Sequence, residues 1–181
     1  MQRNHLENPH VAGPGRCYDA SVLSISTSRF EKYGHVQEPE AADDVSGRII
    51  VDALKDAGHS VRSYHLVSDE TNIIRQCVND LINQVDIVVT TGGTGLAPRD
   101  VTIEAVERLI EKEIPGFGEL FRLISYEQVG SAAMLTRALG GIVENTILFC
   151  LPGSPRAVKL AMEALIVPEL HHIKVHVSGQ K

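Results

Sequence analysis

The stretch TTGGTGLAPRD, residues 90–100, carries the groups best suited to chemistry. Three glycines stand within four residues, and glycine lets the backbone take positive φ and approach a ligand closely. A glycine-rich turn between a strand and a helix can present N–H groups to an anion, and the hydroxyls of Thr90, Thr91 and Thr94 add further donors. Asp100 offers the kind of oxygen ligand that Mg²⁺ uses when it bridges to phosphates. The stretch therefore predicts a binding site for a phosphate or another oxyanion.

Two common phosphate-binding motifs do not fit this stretch. The GxxxxGK(S/T) spacing of a P-loop fails, and no lysine occurs from 90 to 100. A Rossmann fingerprint starting at Gly93 would need glycine or alanine at 98, where Pro98 stands. Two structural explanations stay open, because the glycines also suit a tight turn after a buried strand and Asp100 also suits a helix N-cap.

The loop belongs to an alternation of predicted strands and helices. Strands are predicted at 21–27, 59–67, 85–90 and 146–153, and apolar runs such as 85–90 are typical of strands buried on both faces. Helices are predicted at 44–58, 69–82, 102–113, 131–141 and 154–173. The segment 116–130 is predicted to form two short helical pieces, and 26–43 a long polar connection.

Several helix ends and faces are also predicted. Gly58 is a C-terminal stop, and Ser68 is an N-cap for the following helix. Pro155 suits the start of the last helix, whereas Pro168 should bend or break it. The helix at 44–58 should bury the face that carries Val45, Ile49, Ala53 and Ala57.

This order of elements predicts a three-layer α/β/α fold with a mostly parallel sheet, in a single domain over 17–177. Sheets of this kind bind ligands beyond the carboxyl ends of their strands. Four loops lie at those ends, at 26–43, 68–70, 91–101 and 152–155. We therefore expect these loops to form one pocket.

The composition limits the classes of partner. The net charge of -6 argues against a nucleic-acid partner but allows a small phosphorylated ligand in a locally cationic pocket. No apolar run approaches the ~20 residues needed to span a bilayer, so no membrane partner is expected. Cys17, Cys77 and Cys150 form no CxxC pair and suit a reducing cytoplasm. Residues 1–16, which are polar and contain Pro and Gly, are predicted to form a flexible arm.

Three ordered motifs carry a family resemblance. VVTTGGTGLAPRDVTIEAV, FGELFRLISYEQVGSAAMLTRALGGI and LPGSPRAVKLAMEAL, together with DDVSG, resemble the MoaB/Mog family of molybdenum cofactor biosynthesis over about residues 20 to 172. The resemblance implies an α/β fold and, in active members, adenylylation of molybdopterin with Mg-ATP and release of pyrophosphate. The SYEQVG segment is more similar to the MoaB branch than to the Mog branch.

The resemblance also implies roles for individual residues. Asp69 and Asp100 would be catalytic and would hold Mg²⁺ between them, while Arg99 is a less certain phosphate partner. The other positions implied to bind molybdopterin or nucleotide are Ser26, Thr90, Thr91, Gly92, Gly93, Thr94, Gly95, Arg137, Pro152, Gly153, Ser154 and Arg156. Such a reaction needs alignment and charge neutralisation rather than a protein nucleophile, because the terminal phosphate of molybdopterin can attack the α-phosphate of ATP.

One departure from the family pattern leaves a second function open. Thr27 stands where the first strand of family members often ends in an acid. A non-catalytic molybdopterin-binding or scaffold protein is therefore the alternative.

The family resemblance also implies a homo-oligomer, a trimer or a hexamer, and other cofactor-biosynthesis proteins as further partners. The segment GFGELFRLI places Phe117, Leu120, Phe121 and Ile124 on one face at helical spacing. This apolar face suits the core of the domain, and a subunit contact is the alternative.

Overall fold

A single mixed sheet organises the chain. A computed structural model describes residues 16–179, so the predicted arm lies outside the described residues apart from Arg16. Within that range the strands are β1 (Asp19–Ile25), β2 (Ser60–Val67), β3 (Ile87–Thr91), β4 (Lys112–Glu113), β5 (Leu139–Val143) and β6 (Thr146–Leu151). Their order is β2-β1-β3-β6-β5-β4. The first four are mutually parallel, while β5 is antiparallel to both β6 and β4, which confirms a mostly parallel sheet.

Helices cover both faces of the sheet. They are α1 (Thr27–Tyr33), α2 (Val45–Asp56), α3 (Thr71–Leu81), α4 (Thr102–Val106), α5 (Pro115–Val129), α6 (Pro155–Ala161) and α7 (Val167–Ser178). Apolar side chains of α2, α5, α6 and α7 form one core cluster with the sheet. Those of α3 and α4 form a second cluster. The three-layer α/β/α fold is therefore confirmed.

The central strands are buried on both faces, as their apolar runs predict. Every residue of β3 and of β6 is buried, and Val89 of β3 lies opposite Phe149 of β6. Side chains alternate between the two faces of a strand, so Val89 joins the first cluster and Val88 the second. The same alternation decides which threonine at the end of β3 can reach a ligand.

The predicted buried face of α2 is wrong by about one position. Val45 is 43% exposed, whereas Ile50, Val51 and Leu54 are buried. The predicted face and the observed buried residues both recur at helical spacing. The buried residues include the larger aliphatic side chains, so their burial contributes more free energy. Small residues then fall at 46 and 47, and a Cβ at Gly47 would lie 2.7 Å from the Tyr64 ring of β2. The predicted stop is confirmed, since Gly58 follows the helix at a φ of 83°.

The helix after β2 starts later than predicted. It begins at Thr71, and the Ser68 hydroxyl donates a hydrogen bond to the Glu70 carboxylate at 3.0 Å instead of capping the helix. Asp69 is consequently a loop residue and does not lie in the first helical turn. The prediction of Ser68 as an N-cap is therefore wrong, because its hydroxyl bonds to the acid two residues later.

Three connections also differ from their predictions. The polar segment 26–43 contains α1, capped by Ser26, and a 3₁₀ turn at Pro39–Ala42. The segment 116–130 forms one continuous helix, α5. The predicted helix at 102–113 ends at Val106, continues as a 3₁₀ turn and finishes in β4.

The predicted helix at 131–141 is a 3₁₀ turn, Gly130–Leu135, followed by β5. Gly140 and Gly141 explain the strand, because a Cβ at Gly140 would lie 3.0 Å from the Phe149 ring and one at Gly141 2.6 Å from Ile110. The two glycines thus let β5 pack against bulky neighbours, where any larger residue would clash.

Pro168 does not break the last helix. A π-helical stretch, Met162–Ile166, joins α6 to α7, and the Val167 N–H donates to the carbonyl of Met162. A π turn of this kind accommodates the missing proline N–H without ending the helical path. Pro155 lies at the start of α6, as predicted. Among residues 16–179 no helix is long and apolar enough to cross a membrane.

Phe121 provides a test of the core. Its side chain is fully buried in the first cluster, so Phe121→Ala should lower the free energy of unfolding by about 3–5 kcal/mol. Denaturant titration measures this change, with Glu119→Ala on the exposed side of α5 as the control, expected within about 0.5 kcal/mol of wild type. Equal effects of the two substitutions would contradict the assignment of Phe121 to the core.

Candidate active site

A cavity of about 260 Å³ lies at the carboxyl ends of β1, β2, β3 and β6. All four predicted loops contribute to it, through Ser26 and Arg29, Asp69, Gly92 and Gly93, and Gly153. The chain leaves β1 toward β2 on one side and returns to β3 on the other, which creates the switch point where such sheets bind ligands. A larger cavity of about 430 Å³ beside β2 and α3 contains none of the predicted site residues.

The glycines at the end of β3 permit a close approach of the backbone to its neighbours. Gly92 has a φ of 101°, and a Cβ there would lie 2.2 Å from the carbonyl oxygen of Ile25. Gly93 has a φ of 61°, and a Cβ there would lie 2.4 Å from Thr102 Oγ1 and 2.9 Å from Asp69 Oδ1. Any side chain at either position would therefore push the loop off the end of β1 and away from Asp69.

The loop has a backbone donor without a partner at a residue that lines the cavity. The Gly92 N–H donates to the Leu151 carbonyl at 3.1 Å, which ties the loop to β6. No acceptor within residues 16–179 takes the Gly93 N–H. Thr102 Oγ1 donates to the Gly92 carbonyl at 2.8 Å and so holds the peptide orientation. The arrangement offers an N–H donor to an anion in the cavity.

Asp69 is held by Thr27. Its Oδ2 accepts hydrogen bonds from the Thr27 N–H at 2.7 Å and from the Thr27 hydroxyl at 2.8 Å. The Asp69 N–H in turn donates to Thr27 Oγ1 at 3.0 Å. These bonds fix one carboxylate oxygen and leave Oδ1 beside Gly93. Thr27 therefore positions Asp69.

Asp100 closes the glycine loop on itself. Its Oδ2 accepts a hydrogen bond from the Ala97 N–H at 2.9 Å and would lie 2.6 Å from a Cβ at Gly95. Asp100 does not line the cavity that Asp69 lines. Their joint binding of Mg²⁺ stays a prediction.

The predicted arginines make contacts outside the cavity. Arg137 donates to the Gly95 carbonyl at 3.1 Å and pairs with Glu104 at 2.5 Å, so it braces the far end of the loop. Arg156 donates to the Gln128 side chain at 3.0 Å, and Arg99 is exposed on the loop. The cation that lines the cavity is Arg29, which the sequence analysis missed.

Thr90 is a predicted site residue that does not line the cavity. It is fully buried, and its hydroxyl points to the face of the sheet that holds Cys150. Burial raises the pKa of the Cys150 thiol to about 12, so that cysteine is a small apolar residue of the core. Thr91 faces the cavity instead, and its hydroxyl donates to the Pro152 carbonyl at 3.0 Å. The alternation along β3 explains the difference.

The remaining predicted residues support the cavity wall. Ser154 caps α6 by accepting from the Ala157 N–H at 3.2 Å, and Thr94 is buried beneath the loop. Gly153 lies against Gly92, and its carbonyl accepts a hydrogen bond from Ser46 at 2.8 Å.

Two lining residues on α2 and its N-terminus, Asp44 and Ser46, were not predicted. Their signal in the sequence is the DDVSG segment, which carries part of the family resemblance.

The fold and this site define an α/β protein with a polar pocket at the switch point of its sheet. The family profile described as "Probable molybdopterin binding domain" matches residues 21–172. Molybdenum cofactor biosynthesis protein B of Bacillus cereus is 52% identical over 162 residues, covering 88% of this chain and 90% of that protein.

Solved structures agree with the sequence comparison. A crystal structure of a molybdenum cofactor biosynthesis protein B has a TM-score of 0.81 at 44% identity, covering 93% of this chain and all of the other. The tungsten cofactor synthesizing protein MoaB of Pyrococcus furiosus has a TM-score of 0.79 at 37% identity, with 91% and 99% covered. The chain therefore belongs to the MoaB/Mog family of molybdenum and tungsten cofactor biosynthesis proteins.

Gly93 and Gly34 form a matched pair that tests the close approach. Both have φ near +60°, but only Gly93 has neighbours in the space of a Cβ. Gly93→Ala should therefore destabilise the protein by about 1–3 kcal/mol more than Gly34→Ala and should weaken pyrophosphate binding. Thermal unfolding and calorimetric titration with pyrophosphate measure the two effects. If the two variants lose the same stability and bind pyrophosphate equally well, the loss comes from the backbone conformation and not from a clash of the new Cβ at the site.

Proposed function

We propose that this protein adenylylates molybdopterin with Mg-ATP and releases pyrophosphate. The observation that carries the proposal is the combination in one cavity of the Gly93 N–H, the Arg29 guanidinium and the Asp69 carboxylate. The first two groups suit phosphate oxygens, and the third suits a cation that accompanies phosphates. Membership of the MoaB/Mog family supports the same assignment.

The reaction joins two anionic substrates, so catalysis rests on alignment and charge neutralisation. An oxygen of the terminal phosphate of molybdopterin attacks the α-phosphorus of ATP, and the bond to the β-phosphate oxygen breaks to release pyrophosphate. Arg29 and the Gly93 N–H would hold phosphate oxygens and offset their charge. No protein nucleophile is required.

The carboxylates fit the proposed magnesium site by their chemistry. Asp69 and Asp100 would hold Mg²⁺, which would supply positive charge against the phosphates. Thr27 supports this role because it fixes Asp69 Oδ2 and keeps Oδ1 beside Gly93.

A non-catalytic molybdopterin-binding protein is the second candidate. Arg137 and Arg156 donate hydrogen bonds to other groups of the protein, outside the cavity. Among residues 16–179, Arg29 is the one basic residue that lines the cavity. One cation suits binding of a single phosphate better than transfer between several. Formation of adenylylated molybdopterin from ATP and Mg²⁺ separates the candidates, since binding without product supports the second.

Asp100→Asn tests the catalytic role of the carboxylate apart from its role in the loop. An asparagine oxygen can still accept from the Ala97 N–H, so the fold should persist. Adenylyl transfer should nevertheless fall on the order of 100-fold, because a charged ligand for the metal is lost. Product formation is followed by chromatography over time, with Asp80→Asn on α3 as the control. Wild-type turnover by a folded Asp100→Asn protein would remove Asp100 from the mechanism.

We also propose that the protein forms a homo-oligomer through an exposed apolar surface on α5 and the turn that follows it. Phe117 and Phe121 belong to the core. The exposed apolar surface instead comprises Leu120, Leu123, Tyr126, Val129, Met134 and Leu135, on α5 and the turn that follows it. Contiguous apolar surfaces of this kind commonly mark protein contacts, and a second copy of the chain is the occupant that fits the family.

Leu123→Asp tests this surface. Leu123 is 61% exposed, so the change should leave the fold intact but place a desolvated charge in the contact. Multi-angle light scattering should show a trimer or hexamer for wild type and a shift toward a single chain for the variant. Ile73→Asp, an exposed apolar residue on α3, is the control and should not change the mass. A wild-type mass of 19.7 kDa at micromolar concentration would exclude the proposal.

A further inference from the structure

Asp44 is a buried carboxylate whose hydrogen bonding is incomplete. It is 2% exposed and lines the same cavity as Asp69 and Gly93. Its Oδ2 accepts a hydrogen bond from the Tyr64 hydroxyl at 2.8 Å. Its Oδ1 has no hydrogen-bond partner within residues 16–179. A buried acceptor without a donor costs about 1–3 kcal/mol, so the position needs an explanation.

The surrounding residues hold this side chain in place. Asp44 precedes α2 but makes no side-chain capping bond, so the helix does not account for the carboxylate. Gly47 makes room for it, because a Cβ there would lie 2.4 Å from Asp44 Oδ2. Burial raises the pKa of the Tyr64 phenol, and the neighbouring Asp44 raises it further, so the phenol stays a donor. One oxygen is therefore fixed, and the other is left without a partner in a residue that lines the cavity.

The chemistry of the free oxygen restricts what can meet it. A carboxylate oxygen repels phosphate and attracts the N–H or O–H group of a ligand. The cavity thus combines groups for an anion, Arg29 and the Gly93 N–H, with an acceptor for a neutral donor. A ligand with a phosphate at one end and N–H or O–H groups at the other satisfies both, which fits a phosphorylated pterin and a nucleotide.

We propose that Asp44 Oδ1 accepts a hydrogen bond from an N–H or O–H group of the ligand and so determines the specificity and orientation of binding. The proposal rests on the function proposed above. The donor belongs either to the pterin ring of molybdopterin or to the nucleoside of ATP, and separate titrations distinguish the two. A site built around such an acceptor discriminates strongly against ligands that lack the donor, because the acceptor would then remain unpaired.

Asp44→Asn reverses the polarity of the free group with little change in shape. The amide oxygen can still accept from Tyr64, which leaves an NH₂ donor where the ligand needs an acceptor. Asp43→Asn is the matched control, because it removes the same charge one residue earlier from an exposed side chain that bonds to Tyr33 outside the cavity. Calorimetric titrations with molybdopterin and with ATP, each with and without Mg²⁺, give the dissociation constants. Thermal unfolding is measured in parallel.

Asp44→Asn is expected to raise the dissociation constant of one ligand tenfold or more. Its Tm should be unchanged or higher. Asp43→Asn should bind like wild type. If only the affinity for molybdopterin falls, the hydrogen-bond donor to Asp44 belongs to the pterin. If only the affinity for ATP falls, the donor belongs to the nucleoside. Wild-type affinities in Asp44→Asn would overturn the inference, as would weakening seen only with Mg²⁺, which would make Asp44 a metal ligand.

Two further outcomes keep the inference separate from folding and from the proposed function. If Asp44→Asn does not fold, Tyr64→Phe is tested instead, because it removes the hydroxyl that holds Asp44 Oδ2. The affinity for molybdopterin or for ATP should then fall severalfold. Unchanged affinities for both would overturn the inference. A wild-type protein that binds neither molybdopterin nor ATP would overturn both the proposed function and the inference. Binding by wild type with equal binding by Asp44→Asn would overturn the inference alone.

Discussion

The site depends on how closely the Gly92–Gly93 backbone lies against the end of β1. A Cβ at Gly92 would come within 2.2 Å of the Ile25 carbonyl, so this contact is available to glycine alone. Parallel strands bring their carboxyl ends to one edge of the sheet, and the contact draws three of those ends together. Asp69 from the end of β2 and Gly153 from the end of β6 then fall beside the same peptide. The close contact of backbone segments is therefore what makes one pocket of four loops.

The polar groups around this contact divide into those that hold the loop and those that remain for a ligand. Arg137 and Asp100 satisfy backbone groups of the loop, and Thr27 satisfies one oxygen of Asp69. The Gly93 N–H and Asp44 Oδ1 have no partner within residues 16–179. A protein selected for stability alone would pair or replace such groups, since each costs stability when buried. Their persistence at one cavity is expected where a bound molecule completes the hydrogen bonds.

The fold followed from sequence where the pattern had one physical solution. The runs at 85–90 and 146–151 could only be buried strands, and the four loops at the strand ends did form one pocket. The pattern failed where long-range packing decided. The segment 131–141 became a turn and a strand because its glycines fit against Phe149, and that ring is remote in sequence. Arg29 was missed because α1 was taken for a loop, and Thr90 was misplaced because period-two alternation was not applied at the end of β3.

Thr27 bears most directly on how this pocket treats anions. An acid at this position would place a second carboxylate against Asp69, and two unit charges about 4 Å apart repel by about 4 kcal/mol at an effective dielectric constant of about 20. Thr27 replaces that repulsion with a hydrogen bond from its hydroxyl to Asp69 Oδ2, beside the bond that the backbone N–H of residue 27 donates. The pocket therefore carries one fewer negative charge than the resemblance implies, while the geometry of Asp69 is retained. If phosphates bind beside Arg29 and Gly93, as proposed, one fewer carboxylate in the pocket favours their binding.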